Sequence, residues 1–333
     1  MQRHPLRAVL IVVGTAIHTL LAANVAHAAD MDYRLQPRKL ADHAYALIGR
    51  TEDFDRNNGA NIVNTGFFIG PSGVVVIDSG PSLRYGQQAR KAIEALAPGK
   101  PIALVVDTHH HPDHFLGNQA YKDAPIGALP ATTQSIHRDG NSFAENLYRM
   151  SGDWMLGTEA LAPNRNLAAG PLAVGGLNLR LIAAAGHTGA DLAVYEPASG
   201  VLFTGDLVFN LRAPTTPHAD IAEWLGALDQ MESITKEPGF KLLVPGHGEP
   251  STDAAPIVRT RRWLLWLRGT LQDAAKAGMD MVELMRHPLP AEFADVPLAH
   301  SEFRRSVEHL YPEMEDAVLG KAMPQPAPPK PRY

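Results

Sequence analysis

The chain has 333 residues, of which 45% are hydrophobic and 20% charged, a composition typical of an ordinary globular protein. Its formal net charge is −5, so the chain lacks the excess of basic residues that is typical of nucleic-acid-binding proteins. No cysteine is present, which excludes disulfides and thiolate chemistry, so a site for a soft metal must be built from carboxylates and from the 15 histidines.

The first 28 residues have the pattern of a secretory signal peptide. Two arginines precede an apolar run over residues 8–21, and residues 26–28 read Ala-His-Ala, a small-x-small cleavage signal. A membrane anchor is the alternative, but the run is shorter than the roughly 20 residues that span a bilayer. We expect cleavage near Ala28 and a periplasmic or secreted protein that has no membrane segment and a formal charge of −7.

Strand patterns dominate the next hundred residues. Residues 34–49 contain the first strand region, residues 61–69 read as a strand, and residues 70–73 form a turn. Residues 74–77 are Val-Val-Val-Ile, a continuous β-branched run that predicts a buried strand. A helical pattern over residues 85–97 and a further apolar strand over 102–106 follow. This order predicts a βαβ-like unit.

The second half alternates short strands with helices. Residues 137–170 read as an excursion over a pocket, with a helix at 143–150. Later elements are predicted strands at residues 177–183, 192–196, 201–204 and 241–244, a helix at 221–235, and C-terminal helices at 257–277, 279–285 and 301–319. The last ten residues, 324–333, contain five prolines and are expected to form an exposed tail.

A dense group of metal-ligand types follows the strand at residues 102–106. Residues 108–114 read Thr-His-His-His-Pro-Asp-His, and a loop directly after a rigid strand end is well placed to aim side chains. Imidazole nitrogens and carboxylate oxygens suit zinc. Alternation along this turn would aim His109 and His111 one way and Asp113 and His114 another, which gives two neighbouring metal positions.

Three later segments repeat the same arrangement. His187, Asp206 and His247 each follow a predicted strand closely, and each has a glycine directly before it. Glycine allows the backbone to turn sharply beneath a metal ion. A single His-rich surface loop would not explain these matches, so the sequence predicts metal ligation by all four segments.

This ligand pattern resembles that of the metallo-β-lactamase fold superfamily, over about residues 34–250. The resemblance implies an α+β fold, the αβ/βα sandwich of two mixed sheets, here with a C-terminal helical extension. We therefore expect a catalytic domain at residues 30–255, and the helical patterns after Pro256 predict the extension at 256–323. The resemblance also implies that Asp78 orients a ligand from behind. One ion would take His109, His111 and His187, the other Asp113, His114 and His247, and Asp206 would bridge the two.

A narrower resemblance is to the exported subgroup named quinoprotein relay system zinc metallohydrolase. The motifs that carry it are Asn-Gly-Ala-Asn at residues 58–61, Tyr-Arg-Met-Ser-Gly-Asp-Trp at 148–154 and His-Leu-Tyr-Pro at 309–312. It implies a link to a quinoprotein dehydrogenase system, which is therefore an expected partner besides a small-molecule substrate.

The leading hypothesis is a hydrolase with two Zn²⁺ that cleaves an ester, thioester, lactone or amide, with no other cofactor. Asp113 could shuttle a proton, and Asp206 could bridge the metals. Many β-lactamases of this fold have cysteine or serine at the position of Asp206, so β-lactam hydrolysis is not the expected main role. An iron oxygenase of the persulfide dioxygenase kind would need only His109, His187 and Asp206. A non-catalytic accessory protein is the third hypothesis.

Other polar residues give weaker predictions. His110 is expected to point away from the metals. Arg212 and His218 follow Asp206 and either line the pocket or belong to a solvated loop. Trp154 either covers the pocket or packs in the core. Three histidines of the C-terminal helices are expected at the surface, namely His287, His300 and His309.

Overall fold

The structure is a computed structural model that describes residues 31–318 and 320. The predicted signal peptide at residues 1–28 and the proline-rich tail at 324–333 lie outside the described residues. The chain divides into two units, Met1–Arg34 and Leu35–Tyr333, and all elements below belong to the second.

The N-terminal sheet contains seven of the strands in the described part of the chain, in sequence order. They are β1 (Arg38–Lys39), β2 (Ala44–Leu47), β3 (Thr65–Ile69), β4 (Val74–Ile77), β5 (Ile102–Val106), β6 (Ile126–Ala128) and β7 (Arg165–Asn166). Strands β1 to β4 pair antiparallel, and β4 to β7 pair parallel, so the sheet is mixed.

The second sheet holds the remaining five strands of residues 31–318, in the order β12-β11-β10-β9-β8. They are β8 (Gly170–Val174), β9 (Leu177–Ala184), β10 (Asp191–Glu196), β11 (Val201–Phe203) and β12 (Leu242–Val244). The pair β11–β12 is parallel, whereas the other pairs are antiparallel.

Helices cover the outer faces of both sheets. The helices are α1 (Leu83–Leu96), α2 (Pro112–Phe115), α3 (Pro130–Ser151), α4 (Ile221–Thr235), α5 (Ala255–Ala277), α6 (Met281–Leu284), α7 (Ala291–Ala294) and α8 (Ala299–Val318). Helix α1 packs on the first sheet, and α4, α5 and α8 share one core with the second. The predicted α+β sandwich of two mixed sheets with C-terminal helices is thereby confirmed.

Strand β4 shows why an unbroken apolar run suits this position. All four of its residues are buried. Val75 and Ile77 face the core between the sheets, whereas Val74 and Val76 face the core under helix α1. Successive side chains of a strand point to opposite faces, so a strand with both faces covered needs apolar residues throughout. Its parallel pairing with β5 across helix α1 is the βαβ unit that the sequence predicts.

The observed elements differ from the predicted ones where local signals are weak. The strand predicted at residues 61–69 begins at Thr65, because the backbone N–H of Asn64 donates to the Gly246 carbonyl at 2.8 Å and not to a neighbouring strand of its own sheet. Helix α3 starts at Pro130 rather than at residue 143, with proline at its first position. Strands β6 to β8 and helices α2 and α7 were not predicted, since these short segments lack an unbroken β-branched run such as that of β4.

Within residues 31–318 and 320, no helix combines the length and the apolar character that crossing a bilayer requires.

Candidate metal centre

The candidate ligands meet because the strands before them run in one direction. Strands β4 and β5 are parallel, as are β11 and β12, and β9 runs with β11 because both are antiparallel to β10. The carboxyl ends of strands that run the same way lie at the same edge of a sheet. The loops that follow β5, β9, β11 and β12 therefore bring their side chains to one edge of the sandwich.

All seven predicted ligands lie together at this edge and are buried. Their potential ligand atoms form two groups, each with mutual distances within 4.8 Å. The first group consists of His109, His111, His187 and Asp206, and the second of Asp113, His114 and His247. The division is the one that the resemblance implied.

Asp206 joins the two groups. Its Oδ2 atom lies 3.3 Å from His187 Nε2 in the first group and 3.2 Å from His247 Nε2 in the second. Its Oδ1 atom lies 3.1 Å from His114 Nε2. One carboxylate thus reaches both ligand groups, which is the geometry that a bridging ligand requires.

The His109–His114 segment is helical where alternation was expected. Residues 112–115 form the short helix α2, with Pro112 at its first turn and His111 before it. The two pairs contribute to different ligand groups, as predicted, but they stay close together, with the His109 and His114 ring centroids 4.1 Å apart. Asp113 Oδ2 lies 3.4 Å from His247 Nε2 and 3.8 Å from His114 Nε2.

The donor set fits a metal. His109 Nε2 is buried and has no hydrogen-bond partner within residues 31–318 and 320, and its nearest carboxylate oxygen, on Asp206, is 4.0 Å away. A buried polar atom without a partner is costly unless something binds it. Burial lowers the pKa of His109, of His111 and of His187, the last to about 3. These rings are therefore neutral at pH 7, the form in which imidazole binds a metal.

Neighbouring side chains hold the ligand rings in place. Asp78 Oδ2 lies 2.7 Å from His114 Nδ1 and accepts the Thr108 hydroxyl at 2.9 Å, and its Oδ1 accepts the Thr108 amide at 2.8 Å. The carbonyl of Ile62 lies 2.8 Å from His247 Nδ1. Each contact uses the ring nitrogen that faces away from the cluster, which leaves Nε2 for the metal.

Two glycines are required by this close packing. Gly186, directly before His187, has a φ of +136°, and a Cβ there would overlap the backbone of Trp224. Gly246, directly before His247, lies so close to Asp206 that a Cβ would overlap its Oδ1 atom. In both cases the steric overlap explains why glycine precedes the candidate ligand.

We expect the variant Asp78→Asn to bind metal about 10- to 100-fold more weakly, because its amide cannot hold the His114 Nδ1–H as a carboxylate does. Asp78 has a φ of +57°, a left-handed conformation that asparagine tolerates, so the backbone should be preserved. Metal retained after dialysis against graded chelator concentrations would measure the effect. The exposed Asp42→Asn is the matched control, and equal retention in both variants would contradict the prediction.

His218 is a second orienting partner. Its Nδ1 atom lies 2.8 Å from His111 Nε2, while His111 Nδ1 faces His187 Nε2 at 2.8 Å. His218→Ala should therefore weaken metal binding about tenfold, the lower end of the range for such partners, because His218 is exposed and water can replace it. Competition with a metal-binding dye would measure the affinity, with the exposed His300→Ala as control. An unchanged affinity would show that His111 needs no such support.

A cavity of about 380 Å³ opens above the cluster, floored by His111, Asp113, Asp206 and His247. Of the peripheral residues, Arg212 and His218 line it. His309 is exposed as predicted and lines the cavity as well, which the sequence did not predict. His287 and His300 are exposed, in line with the prediction.

Of two further peripheral residues, only Trp154 lies away from the expected positions. The Trp154 ring packs against Gly59, and its indole donates to the Arg56 carbonyl at 2.9 Å, so it is neither a lid on the cavity nor a residue of the main core. His110 belongs neither to the ligand group of Asp206 nor to that of Asp113. It is nevertheless buried, with its ring centroid 5.2 Å from that of His111.

Comparison with known proteins agrees with this geometry. A family model described as the Metallo-beta-lactamase superfamily matches residues 58–247, more than half of the chain. The linear primary-alkylsulfatase of a Pseudomonas species is 21% identical over 297 residues, which is 75% of this chain and 54% of the relative. The hydroxyacylglutathione hydrolase of Albidiferax ferrireducens is 28% identical over 152 residues, 44% of this chain and 50% of the relative. The chain thus spans about half the length of these two curated relatives.

Solved structures show the same fold. A metallo-beta-lactamase from Pontibacter korlensis matches with a TM-score of 0.56 and 22% identity, over 70% of this chain and 99% of that one. A double mutant of a sec-alkyl sulfatase matches with a TM-score of 0.64 and 20% identity, over 88% of this chain and 52% of that one. The second match extends over more of the chain than the first.

Proposed function

Because the chain belongs to the metallo-beta-lactamase superfamily, we propose that it is a zinc-dependent hydrolase of an ester, thioester, lactone or amide. The proposed ligands of two zinc ions are His109, His111 and His187 for one, Asp113, His114 and His247 for the other, and Asp206 for both. The observation that carries the proposal is the position of the Asp206 carboxylate, within 3.3 Å of histidines from both groups.

The donor set favours this chemistry. Two bound zinc ions would polarise the substrate carbonyl and lower the pKa of a water to about 7, which supplies a nucleophile at neutral pH. Asp113 lines the cavity and can accept the proton that leaves the attacking water. The buried surroundings exclude bulk water and strengthen the pull of these charges on the reacting bond.

The names of the relatives set the substrates to be tried first. A thioester is suggested by the hydroxyacylglutathione hydrolase and a sulfate ester by the alkylsulfatase. Both leave an anionic product, which a site with two divalent cations and two carboxylates can accommodate because its net charge is positive. Thioesters, lactones and alkyl sulfates therefore belong in the same initial panel.

We also propose that the protein is exported and works beside a quinoprotein dehydrogenase. The signal pattern at residues 1–28 supports export, and the motifs at residues 58–61, 148–154 and 309–312 support the relay-system subgroup. A catalytic domain at residues 30–255 followed by a helical extension at 256–323 belongs to the same proposal. Fractionation of the producing cells tests it, since recovery of the uncleaved chain from the cytoplasm would argue against export.

Elemental analysis of the purified mature protein is the first test of the proposed function. About two zinc ions per chain, with turnover of at least one member of the panel, is the expected result. About one iron per chain would instead favour the oxygenase that needs only His109, His187 and Asp206. Protein without bound metal, and without turnover after zinc is added, would favour a non-catalytic accessory role.

A further inference from the structure

The cavity above the metal centre is closed partly by residues outside the region that matches the family. Asp53 and Phe54 precede residue 58, and Arg305 and His309 on helix α8 follow residue 247, yet all four line the cavity. Helix α8 is fixed there by contacts with the loop after Asp206. Thr216 Oγ1 donates to Ser306 Oγ at 2.6 Å, and just before the helix the Pro297 carbonyl accepts the Ala213 amide at 3.0 Å.

Part of the cavity lining is apolar. Phe54, Phe143, Met150 and Pro217 contribute to its lining. Apolar walls stabilise a ligand by removing its hydrocarbon surface from water. The substrate is therefore expected to carry a hydrocarbon part as well as the bond that reacts at the metals.

Arg212 adds a cation to the lining. The residue is only 4% exposed, yet it reaches the cavity wall. A guanidinium has five N–H donors. Here one nitrogen, Nη1, donates to Thr215 Oγ1 at 3.2 Å, while Nε has no hydrogen-bond partner in the described part of the chain. Such a buried, underused donor group is costly unless a ligand completes it.

The nearby acid, Glu302, does not satisfy the hydrogen-bond donors of Arg212. Glu302 Oε1 lies 3.6 Å from Arg212 Nη2 but accepts Arg305 Nη1 at 2.9 Å and the Thr215 hydroxyl at 3.1 Å. Arg305 also contacts Asp53 at 2.9 Å and so has two acidic partners. Burial raises the pKa of the Glu302 carboxyl, and the charges of Arg212 and Arg305 act in the opposite direction.

We propose that Arg212 binds an anionic oxygen group, a carboxylate or a sulfonate-like group, at the end of an apolar substrate and away from the bond that is cleaved. This inference rests on the proposed function, because it places the reacting bond at the metals. Arginine suits the role because its planar fork of N–H donors matches a carboxylate in a bidentate manner.

Calorimetric binding of unreactive ligands tests this proposal without requiring turnover. The protein as purified is titrated with octanoate, octanesulfonate and the neutral octanamide. Both anions should bind more tightly than the amide. The double variant Arg212→Met/Glu302→Met should lose about 10- to 100-fold in affinity for the anions and little for octanamide. It removes both charges together, so that no buried charge is left unpaired.

Two further variants make the result decisive. Arg304→Gln changes an exposed arginine of helix α8, the helix that carries Glu302, and should bind all three ligands as the wild type does. Arg212→Lys keeps the charge but loses the fork, so it should bind the anions several-fold more weakly even if the double variant does not fold. Anion binding that is equal in wild type and in every Arg212 variant would overturn the proposal and assign the anion to the metals. Equal binding of octanoate and octanamide by the wild type would overturn it too.

The same titration separates this inference from the proposed function. A protein that holds metal and hydrolyses the panel, yet binds anions independently of Arg212, would refute the inference alone. A protein with no metal and no turnover would refute the proposed function, whatever its anion affinity.

Discussion

Asp206→Asn should abolish hydrolysis and remove most of the bound metal. The change keeps the shape of the side chain but takes away the negative charge between the two ligand groups. Asp206 Oδ2 lies 3.3 Å from His187 Nε2 and 3.2 Å from His247 Nε2, so both metal positions should be affected at once. The loss of activity should exceed the roughly 100-fold that removal of an outer hydrogen-bond partner causes. Steady-state kinetics and metal content should be measured on the same preparation.

Asp123→Asn is the matched control for this variant. Asp123 is an exposed carboxylate that pairs with Arg90 on the outside of the protein. Exposed ion pairs contribute about 0–1 kcal/mol to stability, so activity and metal content should be unchanged. If Asp206→Asn kept both metals and full activity, Asp206 would not be a ligand and the bridging arrangement would be wrong.

Removal of the metal should destabilise the whole fold as well as stop catalysis. The candidate ligands follow strands of both sheets, so they come together only when the chain is folded. The unfolded chain therefore has no preformed metal site. Ligand binding to the folded state adds about 2.7 kcal/mol at a free concentration 100 times the Kd, for each site. For a chain of this size, each kcal/mol shifts Tm by roughly 2 °C or slightly more. Chelation should therefore lower Tm by about 5 to 10 °C.

Differential scanning calorimetry with and without a chelator measures this shift. Addition of zinc after removal of the chelator should restore both Tm and activity, since the prediction concerns a reversible equilibrium. Asp206→Asn should show a much smaller chelator effect than the wild type, because it has little metal to lose. An identical Tm for the wild type before and after complete metal removal would contradict a site that joins the two sheets.

The sequence predicts the cluster of candidate ligands better than it predicts the cavity around it. His109, His111, His187 and His247 follow strands whose apolar runs are easy to recognise, and parallel strand ends bring such residues together. An orienting role for Asp78 was implied by the resemblance alone, and the structure shows its contact with His114.

The cavity was harder to predict because its walls depend on packing between distant segments. Nothing local to Arg305 or His309 shows that helix α8 lies against the loop after Asp206, so these residues resemble any others on an amphipathic surface. Trp154 shows the same limit, since its partner at Gly59 is almost a hundred residues away in sequence. The short strands β6, β7 and β8 are held by their neighbours in the sheets rather than by strong preferences of their own.

The division of the ligands between the two sheets has a consequence for how the protein is assembled. The segment His109 to His114 is synthesised long before His247. Neither ligand group is complete until the two sheets have packed. We therefore expect metal capture to be a late event in folding, with the ion taken from the pool around the chain at that moment. On this expectation, the compartment in which folding finishes would influence which metal the protein carries, together with the ligand set.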